Sequence, residues 1–515
     1  MMTRNKQKGF SLIELLIVVR NASLGVGVAV MGLGLMAYPA HAQGRTFYVD
    51  STAGNDGNAG TNPSTPWQNA PGMTAYTGAV SLQPGDTVYF NSGRTWLATG
   101  NWGLSITGGV TYIGDTWPST GSRAIIRLNA QPADPYGVVD WRQDNATAPT
   151  TLQGFDVDAN HFYSDGISVN HAHYGPVPLT GALKTINNVV VHNVASSAAN
   201  GQYAYGITIS NHGGTTGQVS NVLVENSVVH DTSRDGLVIY PGDENQQCTV
   251  SNVTLRHNVV YNVGQDTTYG AGSPIIVKGE VTNAYVEYNY VYGPGSPDQY
   301  GAGIFMDSNE TNAGLGMSNI HIRYNVVNWN LVGGGIRVYN GATPDPKDVR
   351  IYGNIVYNSN SNGGFVINSD LKGTNSIRLY NNTFFNAPIT VTPSSATYTT
   401  FDVRNNIVDG GGITGSNFFT TNTNNLTTNP SFKNTGNPPT GFTGTYGVNM
   451  APNADGLSLL SGSPALGAGA TLLSPYDNSI NSVARPQGSA WDLGAYQSTT
   501  TSAPSPPTGL TATVK

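Results

Sequence analysis

The chain runs to 515 residues with a formal net charge of −7 and no long basic block, which argues against nucleic acid as a partner. Only 10% of its residues are charged, against about 25% in ordinary globular domains, and 64 are glycine, a mixture that favours strands and tight turns over helices. The single cysteine, Cys248, excludes an intrachain disulfide and reads as a small buried thiol.

Residues 1–42 read as export signals. Lys6, Lys8 and Gly9 precede the apolar run Phe10–Val19, with Glu14 five residues after the glycine, and together they resemble a type IV prepilin leader. Arg20 and Asn21 interrupt the long helix that such a leader opens. A second apolar stretch, Leu24 to Met36, leads to Ala40-His41-Ala42, a small-x-small cleavage site. The expected product begins near Gln43, is secreted or held at the cell surface, has no stable membrane span and is a monomer. Residues 43–150 read as an N-terminal cap with the first coils. A strand at Thr46–Asp50 is followed by the turn-rich Gly54–Thr61, then by turn and strand over Leu82–Phe90.

Residues 151–412 carry repeats. Eight strand-like runs each meet an asparagine: Asn193, Asn226, Asn258, Asn289, Asn325, Asn354, Asn382 and Asn406, at spacings of 33, 32, 31, 36, 29, 28 and 24 residues. A fixed period of this size signals a stacked array. Asparagine tolerates left-handed corners and its amide can bond to neighbouring coils, so the eight read as scaffold. After each corner come a short strand, a variable loop and a third strand. That third strand opens with Gly or Pro before Ile167, Ile207, Leu237, Ile275, Ile304, Ile336 or Phe365. Alternation turns these residues inward, together with Val169, Ile209, Ile239, Val277, Met306, Val338 and Ile367. The outward pairs are Ser168/Asn170, Thr208/Ser210, Val238/Tyr240, Ile276/Lys278, Phe305/Asp307, Arg337/Tyr339 and Val366/Asn368. Residues 413–497 read as an irregular closing segment. Residues 498–515 read as a Ser/Thr/Pro linker and a strand resembling the start of a fibronectin type III domain, too short to fold alone.

Residues 44–497 resemble the pectate-lyase-like parallel β-helix superfamily. The opening carries Tyr48-Val49-Asp50, Gly54-Asn55-Asp56, Gly60-Thr61 and Pro84-Gly85-Asp86-Thr87. The closing carries Gly462-Ser463-Pro464-Ala465-Leu466, Arg485-Pro486 and Asp492-Leu493-Gly494-Ala495-Tyr496. The resemblance implies an all-β fold, a right-handed parallel β-helix with three sheets and about 8–11 coils. It further implies an asparagine ladder between the second and third sheets, and an active site on the outer face of the first sheet, built by the strand after the loop.

On that face charge breaks an otherwise neutral pattern. Three consecutive coils, ~4.8 Å apart, are expected to expose Lys278, Asp307, Arg337 and Tyr339. Residues 231–310 also hold ten of the chain's thirty acidic residues in less than a sixth of its length. The leading expectation is β-elimination on a uronate-containing polysaccharide. That reaction needs a base for the sugar's C5 proton, positive charge against the carboxylate, and a proton for the leaving oxygen. Lys278 reads as base, Arg337 as charge stabiliser, Asp307 as positioning group, and Tyr339 or Tyr240 as proton donor. A lysine base must shed its proton, which a nearby arginine favours and an aspartate opposes. In some lyases of the resembled superfamily a lysine on this sheet is the base and acidic residues hold calcium. The resemblance thus points to Lys278, and to Ca²⁺ on Glu280, Asp298, Asp307 and Glu310 through oxygen ligands. Tyr240, Phe305 and Tyr339 read as exposed stacking platforms for sugar rings. In the loop 230–235, His230 and Arg234 read as substrate-binding groups, set against a plainer reading in which Asp235 starts a turn as Asp165 does.

Two alternatives stand beside the lyase. A glycoside hydrolase needs carboxylates about 5 to 9.5 Å apart, and Asp307 with Glu310 or Glu280 is the best pairing, Asp235 lying two coils away. The Asn-Thr-Asp, Asp-Asp and Arg-Ile-Lys motifs of polygalacturonases are missing, as is the Asp-Pro-His-Glu of alginate epimerases. The other alternative is a non-catalytic adhesin or carbohydrate-binding protein. Polysaccharide is the partner in all three.

Overall fold

Short strands that repeat around a coil have one way to satisfy their backbones, which is to pair in parallel with the coils above and below. Three such stacks form. Among the described residues they hold thirteen, eleven and eleven strands, and apart from one small hairpin near the C-terminal end every described strand belongs to them. A single coil shows the path. Ile207–Ser210 lies in the first sheet, Gln218–Glu225 in the second, Val228–His230 in the third, and Leu237–Tyr240 returns to the first beside its starting strand. The winding is that of a right-handed parallel β-helix, the hand that parallel crossovers take. This computed structural model describes residues 44–499 except 135, 170–177, 196–203, 211–217, 242–248, 266–271, 294–300, 309–315, 331–332, 340–346, 360–361, 369–374 and 394–397. The leader, Cys248, Asn170 and the terminal stub lie outside the described residues. Among the described residues no helix is long and apolar enough to cross a membrane.

The seven strands that open with Gly or Pro all fall in the first sheet, and register aligns their inward residues. Ile167, Ile207, Leu237, Ile275, Ile304, Ile336 and Phe365 form one buried interior column. The glycines before them are required by space. At Gly335 an added Cβ would meet Val356 Cγ1 at 2.3 Å and the Gly364 carbonyl at 2.8 Å.

Buried amides link the turns between the second and third sheets. The Asn258 amide nitrogens, main-chain and side-chain, both donate to Asn289 Oδ1 at 3.0 Å. The same double bond joins Asn289 to Asn325, Asn325 to Asn354, Asn354 to Asn382, Asn382 to Asn406 and Asn406 to Asn425. Two of the eight expected asparagines do not join the stack. Asn193 ends a third-sheet strand instead and bonds to Asp158 Oδ1. Asn226 stands exposed at φ 53°, and Ser227 after it holds the buried position, its main-chain nitrogen donating to Asn258 Oδ1. The left-handed residue is the one before the buried amide throughout, as with His257, Tyr288 and Tyr324. A second amide stack, unforeseen from sequence, runs along the outside of the second sheet. Asn319 donates to Asn283, Asn283 to Asn252 and Asn252 to Asn221, all four with φ between 53° and 60°.

The closing segment turns back along the outside of the amide turns. Tyr288, Tyr324, Tyr352 and Tyr380, at or next to those corners, pack with Phe432, Tyr476 and Trp491. Arg485 is fully buried and donates to the carbonyls of Asp492 and Gly494 at 2.9 and 2.7 Å. Gly494 and Ala495 in turn donate to the Asn405 carbonyl and Thr383 Oγ1.

Candidate functional site

The strands Ile275–Lys278, Ile304–Asp307 and Ile336–Tyr339 are consecutive in the first sheet. Register sets Lys278 beside Asp307 and Asp307 beside Tyr339, with Phe305 beside Arg337 in the parallel column. The expected quartet therefore gathers on three adjacent rungs. It is not exposed as expected. Asp307 and Arg337 retain 7% and 3% of their surface, and Lys278 and Tyr339 are half-buried. Alternation fixes the side on which a residue lies and says nothing of what covers it. Here the outer face carries its own apolar cluster of Val238, Tyr240, Ile276, Ala302 and Phe305, with Tyr205 and Tyr339 against it.

Tyr240 and Phe305 are thus buried members of that cluster rather than exposed stacking platforms. The Lys278 ammonium stands over the Tyr240 ring, 4.9 Å from its centroid. The Arg337 guanidinium lies 5.3 Å from the Tyr339 ring and 5.8 Å from that of Phe305, and donates to Asn368 Oδ1 at 2.6 Å. Asn368, from the next coil, orients this arginine. It is one of the outward residues that alternation assigns, but being uncharged it does not stand out as a site candidate in the sequence. Low-dielectric surroundings of this kind strengthen each charge's action on a bound anion.

Asp235 is spent on the coil corner, where its Oδ1 accepts the Ser273 amide at 2.6 Å. Burial pushes its carboxyl up, against the pull of Arg234, the Ser273 amide and Lys278. Asp165 acts in the same way at its own corner, accepting the Tyr205 amide at 2.9 Å, which matches the plainer turn reading for both. Arg234 stays at that corner of Asp235, its carbonyl accepting from Gly264 and from Thr232 Oγ1. His230 is elsewhere. It lies in the third sheet, where its ring stacks between His192 and Tyr261 at 5.2 and 4.8 Å and its Nδ1 stands 2.8 Å from Asp231 Oδ2. The left-handed corner at Asp231, φ 53°, turns the chain away from that sheet, so His230 does not join the lysine cluster.

Of the four expected calcium ligands, Asp298 and Glu310 lie outside the described residues. Glu280 is buried where the chain leaves the first sheet, next to Gly279, whose amide donates to the Asp307 carbonyl at 2.8 Å. Among the described residues no group of three or more His, Cys, Asp or Glu side chains is placed to hold a metal ion. The described residues do not by themselves make a calcium site.

No protein-family model matches the chain, and no curated protein matches it. Solved structures do. A pectate lyase aligns over 88% of this chain and 96% of its own at 15% identity and TM-score 0.41. The complex of XylC with xylose aligns over 88% and 98% at 10% identity and TM-score 0.44. The A-module of a mannuronan C-5 epimerase from Azotobacter vinelandii aligns over 67% and 90% at 15% identity and TM-score 0.36. The fold rests on the strand registers.

Proposed function

We propose that the chain is a secreted, carbohydrate-active β-helix that cleaves a uronate-containing polysaccharide by β-elimination on the outer face of the first sheet. The observation that carries the reading is the convergence of Lys278, Asp307 and Arg337 on adjacent rungs inside an apolar surround. A plain surface ladder pair would stand in water and be worth a few tenths of a kcal/mol, about the least that cross-strand charge pairs contribute. Groups held half-buried or buried among aromatic rings stand out from that expectation.

In this reading Arg337, fixed by Asn368, neutralises the uronate carboxylate and the charge that grows as C5 loses its proton. Lys278 takes that proton as general base. The electron pair left at C5 forms the C4–C5 double bond, and the C4 oxygen leaves with a proton from Tyr339. Asp307, between Lys278 and Tyr339 in register, positions both. Calcium, if bound, would be held through oxygens of Glu280, Asp298, Asp307 and Glu310 and would add positive charge against the uronate carboxylate.

The test is absorbance of unsaturated uronate on pectate, alginate and glycosaminoglycans, with and without chelator, beside an assay for reducing ends. Lys278→Ala is expected to lower turnover about 10²–10⁴-fold, the usual worth of a general base. An unchanged rate removes Lys278 from the mechanism. Reducing ends without the unsaturated band would replace the lyase by a glycoside hydrolase, and silence in both assays would leave a carbohydrate-binding protein.

A further inference from the structure

The outward column of the first sheet changes character along its length. Register links Asp140, Ser168, Thr208, Val238, Ile276 and Phe305 from coil to coil. The last three are apolar and pack together. The first three are polar and equally buried; Thr208 bears on the carboxyl of Asp165 at the coil corner, which leaves Asp140 and Ser168 to be explained. Asp140 Oδ1, Ser168 Oγ and, two residues along the next rung, Ser210 Oγ are buried without a hydrogen-bond partner among the described residues. A buried polar group left unpaired is destabilising. The same column shows that this sheet accepts valine and isoleucine in its place, so the polar choice needs another reason.

The neighbouring groups indicate what that reason is. Arg142 holds the other Asp140 oxygen at 2.7 Å and stands 5.2 Å from the ring centroid of Trp102, a half-buried tryptophan. Burial pushes the Asp140 carboxyl up to about 6 against the pull of Arg142, and its Oδ1 is buried with no hydrogen-bond partner among the described residues. Hydroxyls that both donate and accept, an acceptor oxygen and an indole edge suit a ring bearing several hydroxyls. A uronate would set its carboxylate against Asp140, and a phosphate likewise.

We propose that Asp140, Ser168 and Ser210, with Trp102 against the Arg142 that holds Asp140, form a subsite for a neutral sugar residue. It lies on the face that bears the lysine cluster. Five coil steps separate the rungs of Asp140 and Asp307, or about 24 Å at ~4.8 Å per step. The subsite extends the reading of this face as a glycan surface, and adds that the polymer mixes uronate with neutral residues, the neutral ones lying toward the N-terminal coils.

The experiment is titration calorimetry of the chain with neutral xylo-, manno- and gluco-oligosaccharides, comparing wild type, the double variant Ser168→Ala with Ser210→Ala, and Lys278→Ala. At least one probe is expected to bind the wild type. The double variant should bind it about tenfold or more weakly, which is about 1.4 kcal/mol, while its Tm holds or rises because two orphaned hydroxyls are gone. Lys278→Ala should bind as the wild type does. Absence of binding by every probe, or a double variant that gains stability and binds unchanged, overturns the subsite. Normal uronan cleavage by Lys278→Ala would refute the catalytic reading and leave the subsite standing.

Discussion

Asn325→Ala offers the sharpest test of what holds the coils in register. The Asn325 side chain is fully buried and makes five hydrogen bonds. Its Nδ2 donates to the carbonyls of Val286 and Arg323 and to Asn354 Oδ1 at 2.8, 3.0 and 2.9 Å, and its Oδ1 accepts both amide nitrogens of Asn289 at 3.0 Å. Alanine would strand the Asn289 main-chain N–H and weaken the satisfaction of the Val286 carbonyl, at about 1–3 kcal/mol for each buried group left unpaired. With the small cavity added, the expected loss is about 2–5 kcal/mol. The control is Asn226→Gly. That asparagine looks equivalent in sequence but stands exposed at a left-handed corner that glycine accepts, and surface changes of this kind stay within about 0.5 kcal/mol. Urea denaturation followed by far-ultraviolet circular dichroism reads both. Equal losses in the two variants, or a loss under 1 kcal/mol (about the least one stranded group costs) for Asn325→Ala, would refute the role given to the buried amides.

Three further outcomes are expected. Asp165 is raised to about 7 by burial, against the Tyr205 amide and Thr208, so the folded chain holds a proton that the unfolded chain has released and this term weakens the fold as pH rises. The stability gain of Asp165→Asn over wild type should therefore grow from about pH 4 to about 7 and be flat above; a gain independent of pH would show that Asp165 does not titrate in that window. Gly335→Ala, whose Cβ would land on Val356 and the Gly364 carbonyl, should lose about 1–3 kcal/mol in thermal unfolding, and no loss would mean the coil corner can open. Glu287→Gln weakens a buried carboxylate that meets Arg323 at 2.5 Å on the alternating Glu225–Arg256–Glu287–Arg323 register, and a loss of about 1.5–3 kcal/mol is expected. A change within about 0.5 kcal/mol, the range of an ordinary surface substitution, would make that pair ornamental.

The first-sheet strands were legible because their pattern is local. A glycine or proline followed by alternating apolar residues identifies the inward column, and the registers follow from it. The amide turn was harder, since two adjacent positions both accept asparagine for different reasons. One needs a left-handed backbone and the other a buried amide, so Asn226 and Ser227 exchange the roles that the residue types alone would give them. Asp140 was missed because its strand, Val139–Trp141, precedes the residues that read as repeats. His230 was misplaced because a single left-handed residue after it moves the chain to another sheet. Burial of Asp307 and Arg337 was not legible at all. It depends on neighbouring coils, which a strand's own alternation does not report.

The chain of buried turn amides has a beginning. From Asn425 back to Asn258 each coil grips the next by a paired amide, Ser227 offers only a main-chain donor to Asn258, and at Val189 the side-chain link has given way to valine. A stack whose coils hold only their neighbours yields at its weakest join. The side-chain amide links thus stop near Val189–Ser227, a seam in the turn stack though not in the sheets, with the lysine cluster on the linked side and the Asp140 stripe on the other. A long polymer bound across both would bridge that seam as a splint does, so the substrate itself would hold the two halves of the binding face in line.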